Sequence, residues 1–288
     1  MTEHAGTSAS TGGTVRVNRR ALWRPIRRTL TYFPELKLVY MRNAKSATRT
    51  FLMTLSDAAE RKTAPSSHEA GSGGMRPADP ARRISEGILR HFEPREIMDA
   101  TFFSVVRHPL TRLVSGYLDK IGPNSDARVW LRFCDRYGYD PNKDLAFPEF
   151  VAMIADDDPT KIDRHFRPQW INIGDGLLPL AHIGQLENLQ PTMDFLKTYG
   201  IEEVVDYKPH STGANNRYRE FYQDSETLRK AIVLFQNDFD RFSYAPDVAN
   251  IAPLAPVEPQ PGKRKKMLKV LASLESRHRN DHAPQQEA

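Results

Sequence analysis

Short apolar runs, each followed by a polar loop and a helical stripe, recur along the chain and set its predicted architecture. The runs are rich in aliphatic, β-branched and aromatic residues, which is typical of parallel strands buried on both faces. They occur at residues 36–41, 102–106 and 180–186. Because each run precedes a segment with helical spacing, the pattern predicts an α/β fold with a central parallel sheet flanked by helices.

The junction after the second run carries the strongest signal. The apolar run stops at Arg107, His108 can cap a helix, and Pro109 suits the first helical position because its missing N–H would have had no partner there. The apolar stripe of the predicted helix then packs on the sheet, and Ser115 falls on a different stripe; the apolar residues are Leu110, Leu113, Val114 and Tyr117. Arg107 would lie at the carboxyl end of a strand, where open α/β sheets bind ligands. The alternative is a surface corner with a salt-bridged arginine.

The rest of the chain predicts further helices and two informative loops. Helices are expected at 126–137 and 147–154, from a cap at Asn188 to about Tyr199, and after a cap at Ser225. Residues 162–170 are polar and aromatic without periodicity, which indicates an ordered loop. Residues 208–218, which include Arg217, combine glycine, asparagine and cations, as in loops that wrap a nucleotide.

The predicted organisation is one main domain with irregular ends. Residues 1–18 are predicted to be a disordered tail, residues 19–244 the domain, and residues 62–82, rich in Ser, Gly and Pro, a mobile insertion at the edge of the site. Residues 245–288 are predicted to be a Pro-rich linker and a basic amphipathic helix. This helix could contact an acidic surface weakly, or could simply be solvated.

Composition narrows the class of protein. The chain has 288 residues, 39% of them hydrophobic, and a formal net charge of +5, which favours an anionic ligand or polymer as partner. Cys134 is the single cysteine, so neither an intramolecular disulfide nor a cysteine-based zinc site can form. The N-terminus lacks the apolar segment of a signal peptide, and no apolar run approaches bilayer length. We therefore expect a cytoplasmic protein without a transmembrane segment.

The loop after the first run has the layout of a phosphate-binding loop. The helix stripe of Phe51, Leu52 and Leu55 follows a polar loop that contains Lys45, so backbone N–H groups and an ammonium would converge on one anion. Only Lys45 and Ser46 match the G-x-x-x-x-G-K-[ST] motif of nucleoside triphosphatases. The next strand ends in Arg107 instead of a magnesium-binding acid. The sequence thus predicts no metal site and a ligand with two separate anionic groups; a solvated loop lysine is the alternative.

Taken together, these motifs resemble the carbohydrate sulfotransferases, in particular the sulfotransferase-2 group. The resemblance covers roughly residues 36–244. The family loop P-K-x-A/G-x-T-S corresponds to residues 44–50, and its R-x-P-x-x-R-L-x-S-x-Y motif begins at Arg107 and includes Ser115. Further matches are residues 165–169, the I-G-x-x-E stretch at 183–187, and the closing segment from Tyr222 through residues 237–239 to 242–244.

The resemblance implies a P-loop-like sulfotransferase fold and an enzyme that transfers a sulfuryl group from PAPS (3′-phosphoadenosine 5′-phosphosulfate), leaving adenosine 3′,5′-bisphosphate. It implies that Lys45 stabilises the leaving phosphate without a metal and that Arg107 and Ser115 bind the 3′-phosphate. A base must deprotonate the acceptor hydroxyl or amine. His91 matches the base position of relatives, and His165 is the second candidate, with acceptor binding as its expected role. The predicted donor-binding residues are Lys45, Ser46, Ala47, Thr48, Arg49, Thr50, Arg107, Ser115 and Arg217.

The sequence differs from the family pattern at several positions, and it leaves three other functions as alternatives. Ala44 replaces the usual proline, Arg49 stands where a small residue is common, and the cysteines and Golgi anchor of animal members are absent, which indicates a bacterial-type branch. The acceptor is expected to be a carbohydrate or another hydroxyl compound, whose identity the sequence does not give, and the oligomeric state is equally open. The rivals are a P-loop kinase, a basic binding protein and a non-catalytic sulfotransferase fold. No motif for binding nucleic acid supports the second.

Overall fold

The computed structural model of the protein describes residues Leu22, Ile26, 28–63, Ile97, 99–122, 127–205 and 213–262. They contain strands β1 (Leu30–Phe33), β2 (Leu38–Met41), β3 (Thr101–Val106) and β4 (Leu180–Gln185). The α-helices are α1 (Thr48–Thr63), α2 (Pro109–Lys120), α3 (Ala127–Tyr137), α4 (Phe147–Ala155), α5 (Gln169–Ile173), α6 (Gln190–Lys197), α7 (Ala214–Arg217) and α8 (Ser225–Phe242). Short 3₁₀ helices occupy Pro34–Leu36 and Tyr218–Tyr222.

The four strands form one sheet in the order β1-β2-β3-β4. The pairs β2–β3 and β3–β4 are parallel, with Met41 opposite Ser104 and Val106 opposite Gln185. The carboxyl ends of these three strands therefore meet at one edge of the sheet. The first strand pairs with β2 in the antiparallel sense, and the sequence analysis missed it. The predicted fold class, a mostly parallel sheet flanked by helices, is confirmed.

Alternate residues of the central strands bury two separate apolar layers. On β2, Val39 and Met41 belong to one layer, while Leu38 and Tyr40 belong to the other. The first layer packs against α2, α4 and α8, and the second packs against α1 and α6. Because both faces of the sheet are covered, its strands read as continuous apolar runs rather than alternating ones.

Several predicted helix boundaries are corrected by the structure. The first helix runs to Thr63, so residues 62 and 63 of the predicted insertion are helical, and residues 64–82 lie outside the described ranges. The cap of α6 is Leu189 rather than Asn188, and the cap of α8 is Asp224 rather than Ser225. The Asp224 side chain accepts hydrogen bonds from two N–H groups of the first turn. His108 precedes α2 as predicted but makes no side-chain cap hydrogen bond.

Residues 245–262 follow the domain surface without a helix. The described part of the predicted Pro-rich linker is attached to the domain by hydrogen bonds. The Gln185 side chain donates to the Ala255 carbonyl at 3.0 Å, and Tyr218 donates to the Val248 carbonyl at 2.7 Å. Leu254 N–H bonds the Ser243 carbonyl at 2.7 Å. The predicted tail 1–18 and the basic tail helix lie outside the described residues, within which no helix is both long and apolar enough to cross a membrane.

Candidate active site

The loop that follows β2, residues 42–47, lies at the carboxyl edge of the sheet and leads directly into α1. Lys45 and Ala47 adopt the left-handed backbone conformation, with φ of 70° and 52°. Non-glycine residues adopt this conformation at a cost, so the surrounding structure must hold the loop. The loop ends at Thr48, where the N-terminus of α1 supplies N–H groups with no partner inside the helix itself.

The buried amide of Asn43 fixes this loop from inside. Its Nδ2 donates to Ser46 Oγ at 3.0 Å, to the Val105 carbonyl at 3.2 Å and to Gln169 Oε1 at 2.7 Å. Asn43, Ser46 and Gln169 are all completely buried. One side chain thereby joins the loop, the end of β3 and the start of α5.

Gln169 extends the same network to Arg107. Its Oε1 accepts the Arg107 backbone N–H at 2.9 Å, and its Nε2 donates to the Arg107 carbonyl at 2.7 Å. The backbone N–H groups of Gln169 and Trp170 donate to the two carboxylate oxygens of Asp238, at 2.7 and 3.0 Å. Burial raises the pKa of Asp238 to about 6, although these two N–H groups and the charge of Arg112 oppose the shift.

Arg112 connects two loops through three carbonyl groups. The side chain is fully buried on α2, and its guanidinium donates to the carbonyls of Ala44, Arg167 and Arg164 at 2.9, 2.9 and 3.0 Å. Burial lowers the pKa of Arg112 to about 10. The side chain therefore stays cationic at neutral pH and holds the loop at 42–47 against the loop before α5.

The two cations predicted from the sequence lie at the same place. Arg107 Nη1 donates to the Lys45 carbonyl at 3.2 Å, and the Arg107 residue is only 8% exposed. Burial lowers the pKa of Arg107, and the charge of Glu187 opposes this shift. Ser115 is buried on the next turns of α2, the helix that Arg107 precedes. An ammonium, a guanidinium and a helix N-terminus thus surround one edge of the sheet.

The ammonium of Lys45 contacts a carboxylate that the sequence analysis did not single out. Asp119, near the end of α2, places its Oδ2 3.1 Å from Lys45 Nζ. The same oxygen lies 3.1 Å from Lys120 Nζ. Burial lowers the pKa of Lys45, while the charge and hydrogen bond of Asp119 raise it.

His165 forms a dyad with Asp163 in the loop before α5. The Nδ1 atom of His165 lies 2.6 Å from Asp163 Oδ1, and Arg132 approaches the other carboxylate oxygen at 3.6 Å. The loop packs closely on α2, since a Cβ at Gly116 would lie 2.9 Å from the His165 carbonyl. Burial lowers the pKa of His165, the Asp163 carboxylate opposes this, and the charge of Lys120 adds to it. Lys120, which contacts Asp119, is thus one of the charges that act on His165.

The remaining predicted site residues are distributed less tightly. Thr48 Oγ1 donates to the Asn43 carbonyl, whereas Arg49 is exposed on the first turn of α1. Arg217, in α7, is 57% exposed and pairs with Glu220 at 3.1 Å. His91 lies outside the described residues, so its position is not part of the site geometry. The described ranges contain no group of three or more His, Cys, Asp or Glu that could hold a metal.

The hydrogen-bond donors and cations around the loop suit a ligand with two anionic groups. One anion would meet Lys45 and the N–H groups at the start of α1, and the other would meet the Arg107 guanidinium. Glu187, the nearest acid beyond β4, is already engaged by the His108 N–H at 2.9 Å and by the Tyr244 hydroxyl at 2.5 Å. Its carboxylate therefore links the start of α2 to Tyr244, and its charge also acts on Arg107.

Sequence reasoning gave no role to five residues that organise this site. Gln169 and Asp238 stand inside stretches that were matched to a family pattern, which was the available signal for them. Arg112 is the second arginine of the R-x-P-x-x-R motif. Asn43 and Asp119 had no such signal, because an asparagine in a polar loop and an acid at a helix end are common on any protein surface.

A family of known proteins matches most of the chain. The sequence model described as "Sulfotransferase family" matches residues 28–245. Carbohydrate sulfotransferase 14 of Homo sapiens is 34% identical over 73 residues, which are 23% of this chain and 19% of that protein. Carbohydrate sulfotransferase 14 of Danio rerio is 27% identical over 122 residues, 38% of this chain and 33% of that protein. The matched segments thus span a third or less of these relatives, and no solved structure matches the chain significantly.

Proposed function

Because this chain belongs to the sulfotransferase family, we propose that it transfers a sulfuryl group from PAPS to a hydroxyl or amine of a carbohydrate or related acceptor. The two relatives named carbohydrate sulfotransferase 14 support the acceptor class. The observation that carries the proposal is the pairing of Lys45 and Arg107 at adjacent strand ends, around a loop held by buried side chains.

On this proposal, the loop and the two cations bind different parts of PAPS. Lys45 and the N–H groups at the start of α1 hold the 5′-phosphosulfate, and the Lys45 ammonium stabilises the charge that develops on the leaving phosphate. Arg107 and Ser115 hold the 3′-phosphate, and Arg217 closes over the nucleotide. PAPS supplies the activated sulfuryl group, and this chain's residues bind it, orient it and neutralise its charge.

A histidine base completes the proposed reaction. His91 is proposed for this role from its place ahead of the strand that ends at Arg107. His165 is proposed to orient the acceptor, since Asp163 holds its imidazole and the charge of Lys120 acts on it. Either imidazole must be neutral to accept the acceptor's proton during attack.

A magnesium-free titration separates this proposal from its rivals. The full chain is titrated with adenosine 3′,5′-bisphosphate and with ATP, in the presence of a chelator. Micromolar or tighter binding of the bisphosphate that ATP does not displace supports the sulfotransferase proposal. In a parallel titration with magnesium, preference for ATP would support a kinase, and failure to bind either nucleotide would support a basic binding protein.

An acceptor assay then separates an active enzyme from a non-catalytic fold that keeps the nucleotide site. Turnover of PAPS is measured with a panel of carbohydrate acceptors. Binding of the bisphosphate without turnover of any acceptor would favour the non-catalytic alternative.

A further inference from the structure

The carboxylate of Asp119 occupies the position in this site where a negative charge is least expected. It lies beside Lys45, the residue proposed to meet the anionic donor. A single oxygen, Oδ2, lies 3.1 Å from both Lys45 Nζ and Lys120 Nζ. The Asp119 side chain is 35% exposed and the two lysine side chains are each 17% exposed, so the cluster is only partly buried.

The charge state of this cluster follows from its contacts. Burial raises the pKa of the Asp119 carboxyl, but the charges and hydrogen bonds of Lys45 and Lys120 more than offset this, so the pKa lies below its usual value. The carboxylate is therefore ionised at neutral pH. Two ammonium groups and one carboxylate leave the cluster with a single net positive charge instead of two.

A single positive charge matches a nucleotide that ends in a sulfonate better than one that ends in a phosphate. A terminal sulfonate carries one negative charge, whereas a terminal phosphate of the same shape carries up to two near neutral pH. Charges a few ångströms apart near a protein surface interact strongly, so a fixed carboxylate acts on each additional negative charge of the ligand. Shape alone cannot separate these two groups.

We propose that Asp119 is a specificity-determining residue, which makes the donor site select a terminal sulfonate over a terminal phosphate. The proposal rests on the proposed function, because it assigns the donor to the Lys45 loop. Selectivity here comes from a repulsive element next to an attractive one. Such an element would explain how a lysine in a phosphate-binding loop avoids capturing nucleotides that end in a 5′-diphosphate.

The test compares two ligands of the same shape that differ by one charge. PAPS and adenosine 3′-phosphate 5′-diphosphate are titrated into the full chain at pH 8, without acceptor and without magnesium. The wild-type protein should bind PAPS at least about tenfold more tightly. Asp119→Asn should tighten binding of the diphosphate by about tenfold while changing PAPS affinity much less, so that the selectivity is lost.

A matched variant controls for loss of a surface charge in general. Asp194→Asn removes an exposed carboxylate that also pairs with a lysine, Lys197, at 3.8 Å, and Asp194 is not among the charges that act on Lys45. Its ligand selectivity should equal that of the wild type. If Asp119→Asn does not fold, the wild-type measurement still decides: equal affinity for PAPS and the diphosphate overturns the proposal.

Adenosine 3′,5′-bisphosphate distinguishes failure of this inference from failure of the proposed function. If the wild type binds none of the three nucleotides, the proposed function itself is wrong. If all three bind and Asp119→Asn shifts PAPS and the diphosphate by the same factor, then Asp119 is only a structural partner of the two lysines.

Discussion

Lys45 lies in the loop after β2 and not in a strand. Substitution of its side chain should therefore leave the sheet intact. We expect Lys45→Ala to lower turnover by orders of magnitude with saturating acceptor, because charge on the leaving phosphate would lose its partner in the transition state. Steady-state kinetics measures this. Lys197→Ala, which removes a surface lysine, is the control, and near-normal turnover of Lys45→Ala would contradict the assignment.

Arg107 should contribute mainly to the affinity for the nucleotide, whereas Lys45 contributes to turnover. Arg107→Ala is expected to weaken binding of adenosine 3′,5′-bisphosphate by about 1.5–3 kcal/mol, the usual loss for a charge-assisted hydrogen bond. Calorimetric titration with adenosine 5′-monophosphate serves as the internal control, and its affinity should change little. An equal loss for both ligands would mean that Arg107 is important mainly for its hydrogen bond to the Lys45 carbonyl.

We expect different kinetic effects when each of the two histidines is replaced by alanine. His91→Ala should abolish most turnover and leave the affinity for adenosine 3′,5′-bisphosphate nearly unchanged, whereas His165→Ala should raise the apparent KM for the acceptor. Activity should rise with pH through a group near the histidine reference value of about 6.5. Burial lowers the pKa of His165. A rise at clearly lower pH, together with the reverse mutant pattern, would make His165 the base.

Among the elements, α5 is short and depends on α8 for its first turn. Asp238, on α8, accepts the N–H groups of Gln169 and Trp170, and Gln169 in turn holds Arg107 and Asn43. We expect Asp238→Asn to destabilise the fold by about 1–3 kcal/mol, because an amide offers one acceptor where the carboxylate offers two. Chemical denaturation at pH 7 measures the loss.

The same variant makes a prediction about pH. The folded pKa of Asp238, about 6, is above the ordinary value of 3.8, so the folded carboxyl binds more protons than the unfolded one between these values. The free energy of unfolding contributed by this group therefore falls as the pH rises from about 4 to 6, by roughly 3 kcal/mol at most. The stability advantage of the wild type over Asp238→Asn should shrink across this window. An advantage that grows instead would show a depressed pKa.

Elements were predictable where one local signal was sufficient. Strands β2 and β3 are buried on both faces and β4 is mostly buried, so they read as apolar runs, and Pro109 marked the start of α2 correctly. Strand β1 was missed because it is only four residues long, contains Thr31 and is followed at once by Pro34, so it gives no clear apolar run. The caps were misplaced by one residue, since Asp224 and Ser225 are both good capping residues and only the backbone decides between them.

At the scale of the whole molecule, the cations of the site were predictable and their supports were not. Lys45 and Arg107 follow apolar runs, and parallel pairing of the runs brings them together. The contacts of Asn43 with Gln169 and of Arg112 with Ala44 join residues that are far apart in the chain. No local pattern encodes such pairs, because a buried polar side chain is defined by the partners that tertiary packing supplies.

The loop supported by Asn43 also has a consequence for the rate of binding. Its unusual backbone is already held by buried hydrogen bonds, so the nucleotide should meet a preformed site. In stopped-flow mixing with adenosine 3′,5′-bisphosphate, the observed rate should rise linearly with ligand concentration in a single phase, without a plateau. Asn43→Ala should introduce a plateau, because the loop must then reorganise before or after encounter. Removal of the Asn43 amide should therefore slow nucleotide binding before it lowers the affinity.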